Sequence, residues 1–150
     1  MLLSKKEYEI FKLLNPTIKG LGYILWGIKL FHKKKKLFLI VFIDHKNNIS
    51  INDCENVSNQ ISYLLDIENI IQKYYILEVS SPGINRFLFF PFQCQFYYNK
   101  KIKIWMYSDT DKNIIIGFLK KMYQDSILIK KKKEERILFF HSIKKIQVIL

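Results

Sequence analysis

Apolar positions recur at two spacings along this chain, and the change from one to the other marks its elements. Residues 4–20 carry Tyr8, Phe11, Leu14 and Ile18 at helical intervals, behind a capping box of Ser4 and Glu7. Pro16 lacks the N–H that a helix interior uses, which predicts a kink or a restart near Asn15. Gly20 and Gly22 close the segment. Ile24–Phe31 and Leu37–Asp44 then read as strands, with His32-Lys33-Lys34-Lys35-Lys36 between them as an exposed hairpin loop. Nearly every position from Leu37 to Ile43 is apolar, so this strand is expected to be central and covered on both faces, in part by a neighbouring domain. Ser50 and Asp53 form a second capping box, and Asp53 and Glu55 sit where the helix dipole favours negative charge. Cys54, Val57, Ile61, Leu64 and Leu65 make one apolar stripe on that helix. Tyr74–Ser80 reads as a third strand, and Ser81-Pro82-Gly83-Ile84 as a type II turn, with Gly83 at the position that needs positive φ.

After Arg86 the pattern changes. Phe87–Tyr98 is aromatic, contains Pro91 and shows no alternation, so it reads as a connector with one short helix. Short alternating segments follow: Ile102–Tyr107, Ile114–Tyr123, Ser126–Lys131, Arg136–Phe140 and Ile146–Leu150. They are separated by Asp109-Thr110-Asp111-Lys112-Asn113, by Gln124-Asp125 and by Lys132-Lys133-Glu134-Glu135. Five short strands in so short a stretch predict a small barrel of the SH3-like or Sm-like kind, and Gly117 inside a strand predicts a bend or bulge. The fold class expected is therefore α+β: an N-terminal α-β-β-α-β layered domain over residues 1–90, then a C-terminal SH3-like (Sm-like) small β-barrel over residues 91–150.

Composition adds a charge to this frame. The 150 residues hold 25 basic and 13 acidic side chains, a net +12, the footprint of a protein that meets nucleic acid or another anionic surface. Residues 91–150 are the more cationic part, with 13 basic against 5 acidic groups. The chain has no alanine, only Arg86 and Arg136 as arginines, and an excess of Ile, Lys, Asn, Tyr and Phe. That bias follows A·T-rich codons, so lysine counts alone are discounted as a sign of function. Cys54 and Cys94 stand forty residues apart without CxxC or histidine neighbours, which argues against zinc or a disulfide framework and fits a reducing cytosol. No apolar run approaches the ~18 residues of a membrane span, and Lys5, Glu7, Glu9 and Lys12 interrupt any signal core. The chain is expected to be soluble and cytoplasmic. His32, His45 and His141 are scattered, and neither a Walker loop nor GxGxxG occurs, so no catalytic set, cofactor site or metal site is expected.

Leu77-Glu78-Val79-Ser80-Ser81-Pro82-Gly83-Ile84-Asn85-Arg86-Phe87-Leu88 resembles the signature segment of the bacterial ribosome maturation factor RimP family. Leu21-Gly22-Tyr23, Ile43-Asp44, the run Ile49–Glu55 with Ser58, and Leu65-Asp66 resemble other parts of the family's N-terminal domain. Gly117, Ile143, Ile146 and Val148 are similar to its C-terminal barrel. The chain departs from the family pattern at Phe87 (usually proline), Asn48 and Asn99 (usually glycine) and Asn59 (usually basic). Asn tolerates left-handed backbone, so Asn48 and Asn99 are expected to preserve their turns.

The resemblance implies maturation of the small (30S) ribosomal subunit by transient binding and not by catalysis. It implies a small-subunit ribosomal protein and 16S rRNA as partners, no small-molecule substrate, no cofactor and a monomeric chain. Ser80, Ser81, Pro82, Gly83 and Arg86 are the candidate partner-binding residues, with Ser80, Ser81 and Arg86 presented on one exposed edge, against the simpler reading of a tight turn between sheet and linker. An arginine kept among lysines points to a planar, bidentate need such as phosphate or carboxylate, met either by a partner or by Glu78 or Asp44 within the chain. Lys33, Lys34, Lys35, Lys36, Lys100, Lys101, Lys130, Lys131, Lys132 and Lys133 are the candidate rRNA contacts, against the simpler reading of solvated loops. Phe87, Phe89, Phe90, Phe92, Phe96, Tyr97 and Tyr98 read as an interdomain packing seam. Aromatic and basic residues do not interleave as in RNP1, which argues against an RRM-type stacking platform. The alternative from another class is a free-standing Sm-like RNA-binding module acting on other transcripts.

Overall fold

A computed structural model describes residues 2–108 and 113–150. Of the loop expected at 109–113, only Asn113 lies within the described residues. The chain divides into two compact units, Leu3–Pro82 and Gly83–Leu150.

The first unit has the expected order: α1 (Lys5–Gly20), β1 (Ile24–Lys33), β2 (Lys36–Asp44), α2 (Ile51–Glu68) and β3 (Tyr75–Ser80). Helix α1 opens on the Ser4–Glu7 capping box and runs as one element through Pro16, so there is no restart at Asn15. Its buried line is Ile10, Leu14 and Ile18, one step round from the stripe that Tyr8 and Phe11 predict. The Glu7 carboxylate uses both oxygens. Oε1 accepts from the Ser4 N–H at 2.9 Å, while Oε2 accepts from the Leu30 N–H of β1 at 2.8 Å. One side chain thus caps the helix and docks it on the sheet.

Strand β2 is central, antiparallel to β1 and parallel to β3. Leu39, Val41 and Ile43 are fully buried against both helices, with Val57, Ile61 and Leu65 of α2 opposite. The alternate residues Phe38, Ile40 and Phe42 are only half-buried. Within this unit the strand is therefore covered on one face, not two, and β-branched and aromatic side chains make both faces look alike in sequence. Leu25 and Ile28 both enter the core although they lie three positions apart, an odd spacing. Period-two alternation forbids that in a regular strand; a bulge between Leu25 and Gly27 supplies the extra residue, Trp26.

The second unit holds β4 (Phe87–Leu88), a 3₁₀ helix (Pro91–Tyr97), β5 (Lys101–Met106), β6 (Ile114–Met122), β7 (Ser126–Lys131), β8 (Glu134–Phe139), a short 3₁₀ turn (Phe140–Ser142) and β9 (Ile143–Val148). All five expected strands form. They join β4 in one sheet of order β4-β9-β5-β6-β7-β8. Its end strands, β4 and β8, are not paired with each other among the described residues, so the ladder does not close as the expected barrel would. The expected division after residue 90 falls inside this unit, because Phe87 and Leu88 pair with Gln147 and Ile146 of β9. A strand of two residues has no periodicity to betray it.

Gly117 pairs regularly with Ile102, and the bulge lies further on, between Leu119 and Lys121. Gly117 answers a close approach instead: a Cβ there would sit 3.0 Å from the Lys130 carbonyl oxygen. Among the aromatics after Arg86, Phe89 and Phe90 are buried while Phe92 and Phe96 are exposed. Gln93, 2% exposed, uses Oε1 to accept from the N–H groups of both Phe89 (2.7 Å) and Phe90 (3.1 Å), locking the turn into the 3₁₀ helix. Gln93→Leu withdraws this acceptor from two buried donors. It should destabilise the second unit by roughly 1–3 kcal/mol, read by denaturant unfolding; an unchanged midpoint would remove that role from Gln93.

Candidate functional site

Four segments meet at one end of the first sheet. Ser80 lies opposite Phe42 in the parallel ladder, so β3 ends beside the last turn of β2. Ile24 lies opposite Asp44, which brings Tyr23 to the same end. The connection to α2 turns at Asn48, whose φ is 67° and whose N–H donates to the His45 carbonyl at 3.1 Å. Asn99 shares that φ, so both asparagines do hold left-handed turns as expected.

The N-terminus of α2 is fastened to this end by a contact between side chains thirty residues apart. The Tyr23 hydroxyl donates a short hydrogen bond to Asp53 Oδ1. Asp53 Oδ2 accepts from the Ser50 N–H at 2.7 Å and from its hydroxyl at 2.8 Å, completing the capping box. The Tyr23 ring meets His45 edge-on with centroids 5.9 Å apart. The Tyr23 hydrogen bond, then those from Ser50, hold the Asp53 carboxyl below its ordinary value of 3.8. The same bond, ahead of partial burial, pushes the Tyr23 hydroxyl above 10.0.

These shifts have opposite consequences. Asp53, lowered in the folded state, lends stability that is complete above its ordinary value and lost as pH falls through the folded one. Tyr23, raised, lends stability that is complete below 10.0 and lost as pH rises through its folded value. Tyr23→Phe should therefore flatten the acid limb of the unfolding midpoint against pH below about 4 and reduce the alkaline loss above about 10. Limbs identical to those of the parent chain would show that the contact is not stabilising.

The signature residues lie on both sides of the division between units. Ser80 and Ser81 close the first unit, the Ser80 hydroxyl donating to the Ser81 carbonyl at 3.1 Å. Gly83 opens the second with a left-handed φ of 75°, but the chain bends at Ile84 and Asn85 and not in the expected type II turn over Ser81–Ile84. Nothing lies within 4 Å of a Cβ built there, so backbone conformation and not space selects glycine. Arg86 Nε donates to the Gly83 carbonyl at 2.8 Å, and its own carbonyl accepts from Val148 N–H at 2.8 Å. The structure therefore brings Gly83 and Arg86 together. Asn85 also ties this segment to the chain end: its carbonyl accepts from Gln147 Nε2 and its Oδ1 from the Leu150 N–H, both at 2.9 Å.

The candidate lysines fall in three places. Lys34 and Lys35 form the two-residue tip between β1 and β2, with φ 51° and 65°, while Lys33 and Lys36 belong to the strands. Lys132 (φ 57°) and Lys133 form the tip between β7 and β8, flanked by Lys131. Lys100 leads into β5. Lys101 and Lys130 share one row of the second sheet, on either side of Phe118. Among the described residues, no three His, Cys, Asp or Glu side chains are grouped to hold a metal ion, and no helix is long and apolar enough to cross a membrane. Burial pushes the Cys94 thiol up to about 12, leaving it a poor nucleophile.

A comparison with protein-family models matches residues 13–85 to the RimP N-terminal domain. By its N-terminal domain, the chain belongs to the RimP family. The match to the RimP N-terminal domain takes in Tyr23, Asp53 and the turn through Gly83, and ends one residue before Arg86. It also crosses the structural division, since Gly83, Ile84 and Asn85 belong to the second unit. The Tyr23–Asp53 contact escapes a reading of sequence periodicity, because neither residue sits on an apolar stripe. Its one signal is that both lie in segments that resemble the family.

Proposed function

We propose that this protein is a maturation factor for the small (30S) ribosomal subunit, acting in the cytoplasm by transient, non-catalytic binding. The observation that carries the reading is the RimP N-terminal domain over residues 13–85, whose distinctive segments gather at one end of its sheet. In this proposal Ser80, Ser81 and Pro82 form one contact, with Gly83 and Arg86 as the start of the second unit's contribution. The guanidinium, anchored through Nε on the Gly83 carbonyl, is held in a fixed plane, as bidentate recognition of phosphate or carboxylate needs. The second unit acts as the family's SH3-like element and takes a small-subunit ribosomal protein. Its strand number and order support that reading, and the bulge after Leu119 gives the sheet a bend.

Backbone conformation supports a role for the lysine tips on 16S rRNA. Left-handed φ costs a non-glycine residue about 1–2 kcal/mol, less for asparagine. The chain places Asn48, Asn69 and Asn99 at three such positions but Lys34, Lys35 and Lys132 at the hairpin tips. Codon bias does not explain the choice, because this chain is rich in asparagine as well. A positive charge at each tip fits phosphate contact.

Co-sedimentation with free small subunits tests the reading. Binding to the subunit in preference to unrelated RNA is expected; equal binding to any RNA favours the free-standing Sm-like module and sinks the proposal. Arg86→Ala should weaken subunit association while Arg86→Lys restores little of it. Replacing the first tip with Asn-Gly (Lys34→Asn with Lys35→Gly) should raise the melting temperature, since that pair suits a type I′ turn. The same change should weaken association at low salt. A gain in stability with no loss of binding would assign the tip to codon bias after all.

A further inference from the structure

The outward face of the second sheet combines lysines and aromatic rings in a way that the linear pattern hides. In β5, Ile102 and Ile104 point into the core, so Lys101, Lys103 and Trp105 point out. Across the ladder Trp105 lies opposite Lys145 of β9 and Ile114 of β6, and Lys103 opposite Gln147 and Ile116. Phe87 of β4 shares the row of Gln147. Trp105 carries two ammonium groups: Lys145 Nζ lies 4.4 Å and Lys103 Nζ 4.8 Å from its ring centroid. Lys145 also lies 5.5 Å from the ring of Phe87, which is tilted against Trp105 at 6.0 Å. Lysine and aromatic side chains interleave here across strands, where the linear sequence carries no RNP1-like pattern.

Charge points to the class of ligand. Both ammonium groups lie within about 5 Å of one ring, hence within a Debye length (~8 Å at physiological salt) or close to it of each other, and their fields add. None of β4, β5, β6 and β9 contains an acidic residue. Asp109 and Asp111 of the β5–β6 connection lie outside the described residues. A cationic face therefore surrounds half-buried rings, beside the exposed Ile114, Ile116 and Phe118. Rings set in a sheet face, and not raised on a loop tip, suit the stacking of flat groups better than insertion into a bilayer. The polyanion that also presents flat apolar faces is an unpaired nucleic-acid strand.

We propose that the face built by β4, β9, β5 and β6 binds single-stranded nucleic acid, with bases stacking on Trp105 and Phe87 and phosphates meeting Lys101, Lys103 and Lys145. On binding, a base takes the place of an ammonium group over the indole, and the displaced lysine moves to a phosphate. The surface extends the ribosomal reading but is argued from its own geometry, so its test uses isolated oligomers and leaves subunit co-sedimentation as a separate measurement.

Oligouridylate titrated into the full chain should quench tryptophan emission. In Trp105→Phe, where only Trp26 emits, the quenching should vanish while most of the affinity remains. Trp105→Leu should weaken binding by about tenfold or more. Lys103→Ala with Lys145→Ala should make the salt dependence shallower by roughly 0.7 per lysine in the log–log slope. Matched RNA duplex, whose base faces are covered, should bind more weakly than the single strand. Should Trp105→Leu fold poorly, ultraviolet crosslinking of a 4-thiouridine oligomer to the unaltered chain, mapped to the peptide containing Trp105, tests the contact directly. Heparin or phosphatidylserine vesicles quenching Trp105 as strongly as the oligomer would overturn the proposal in favour of a general anionic surface. Equal binding of duplex and single strand, or crosslinks confined to other peptides, would overturn it as well.

Discussion

The parallel pairing of β2 with β3 is the constraint on which the first unit depends. Parallel neighbours cannot be joined by a tight turn; the chain must cross back over the sheet with a dozen or more residues. Helix α2 is that crossing, and its length brings β3 in beside β2 with Val79 opposite Val41. The helix must then start at the end of the sheet where β2 finishes, which is also where β3 finishes. This geometry puts Asp53, Asp44 and Ser80 at one end although they are far apart in sequence. The Tyr23–Asp53 hydrogen bond adds β1 to the same end. Without the parallel ladder, the segments that mark the family would not meet at one end of the sheet.

Much of this is legible in the sequence, for physical reasons that differ by element. Both helix starts are readable because a capping box is local chemistry, closed within four residues. The strand positions are readable because turn residues punctuate them. What cannot be read needs register. The one-sided burial of β2 depends on which face the helices take, and a run from Leu37 to Ile43 carries no polar residue to mark the other. The bulge at Trp26 is invisible because its signature is the odd spacing of Leu25 and Ile28, and that spacing has meaning only once the core is known. The division falls at Pro82/Gly83, ahead of the expected boundary, because two hydrogen-bonded residues, Phe87 and Leu88, decide to which unit the connector belongs. Of the candidate site, the segment through Gly83 is legible as a motif, though its bend comes later than the type II turn expected. The anchoring of Arg86 on its own turn is not, since a side chain bonded to a backbone carbonyl leaves no partner residue type to recognise.

Composition is a poor guide in a chain with this codon bias, and backbone conformation corrects it. A lysine on a regular strand or helix says little here, since lysine is the default polar residue. A lysine at positive φ says more, because it stands where asparagine, also frequent in this chain, costs less. Lys34, Lys35 and Lys132 meet that test, whereas Lys33, Lys36, Lys130 and Lys131 lie in strands and do not. The ten candidate lysines thus separate into those whose position is energetically unfavourable without a use for the charge and those that need no such account.

The same alternation that builds the second core also builds its outer face, and the two cannot be adjusted independently. In β5 each inward isoleucine fixes the outward direction of its neighbours, so burial of Ile102 and Ile104 at 0% exposure is what holds Lys101, Lys103 and Trp105 outward. Register across β9 and β6 then decides which residues flank the indole. A one-residue slip of β9 would turn Lys145 inward and bring Ile146 out, losing the core and the cation–ring contacts together. The tie of Asn85 and Arg86 to Gln147, Val148 and Leu150 opposes that slip, because it fixes β9 from its other side. The signature segment therefore contributes to the second unit even where it touches no partner: its last residues set the register of the strand that carries Lys145.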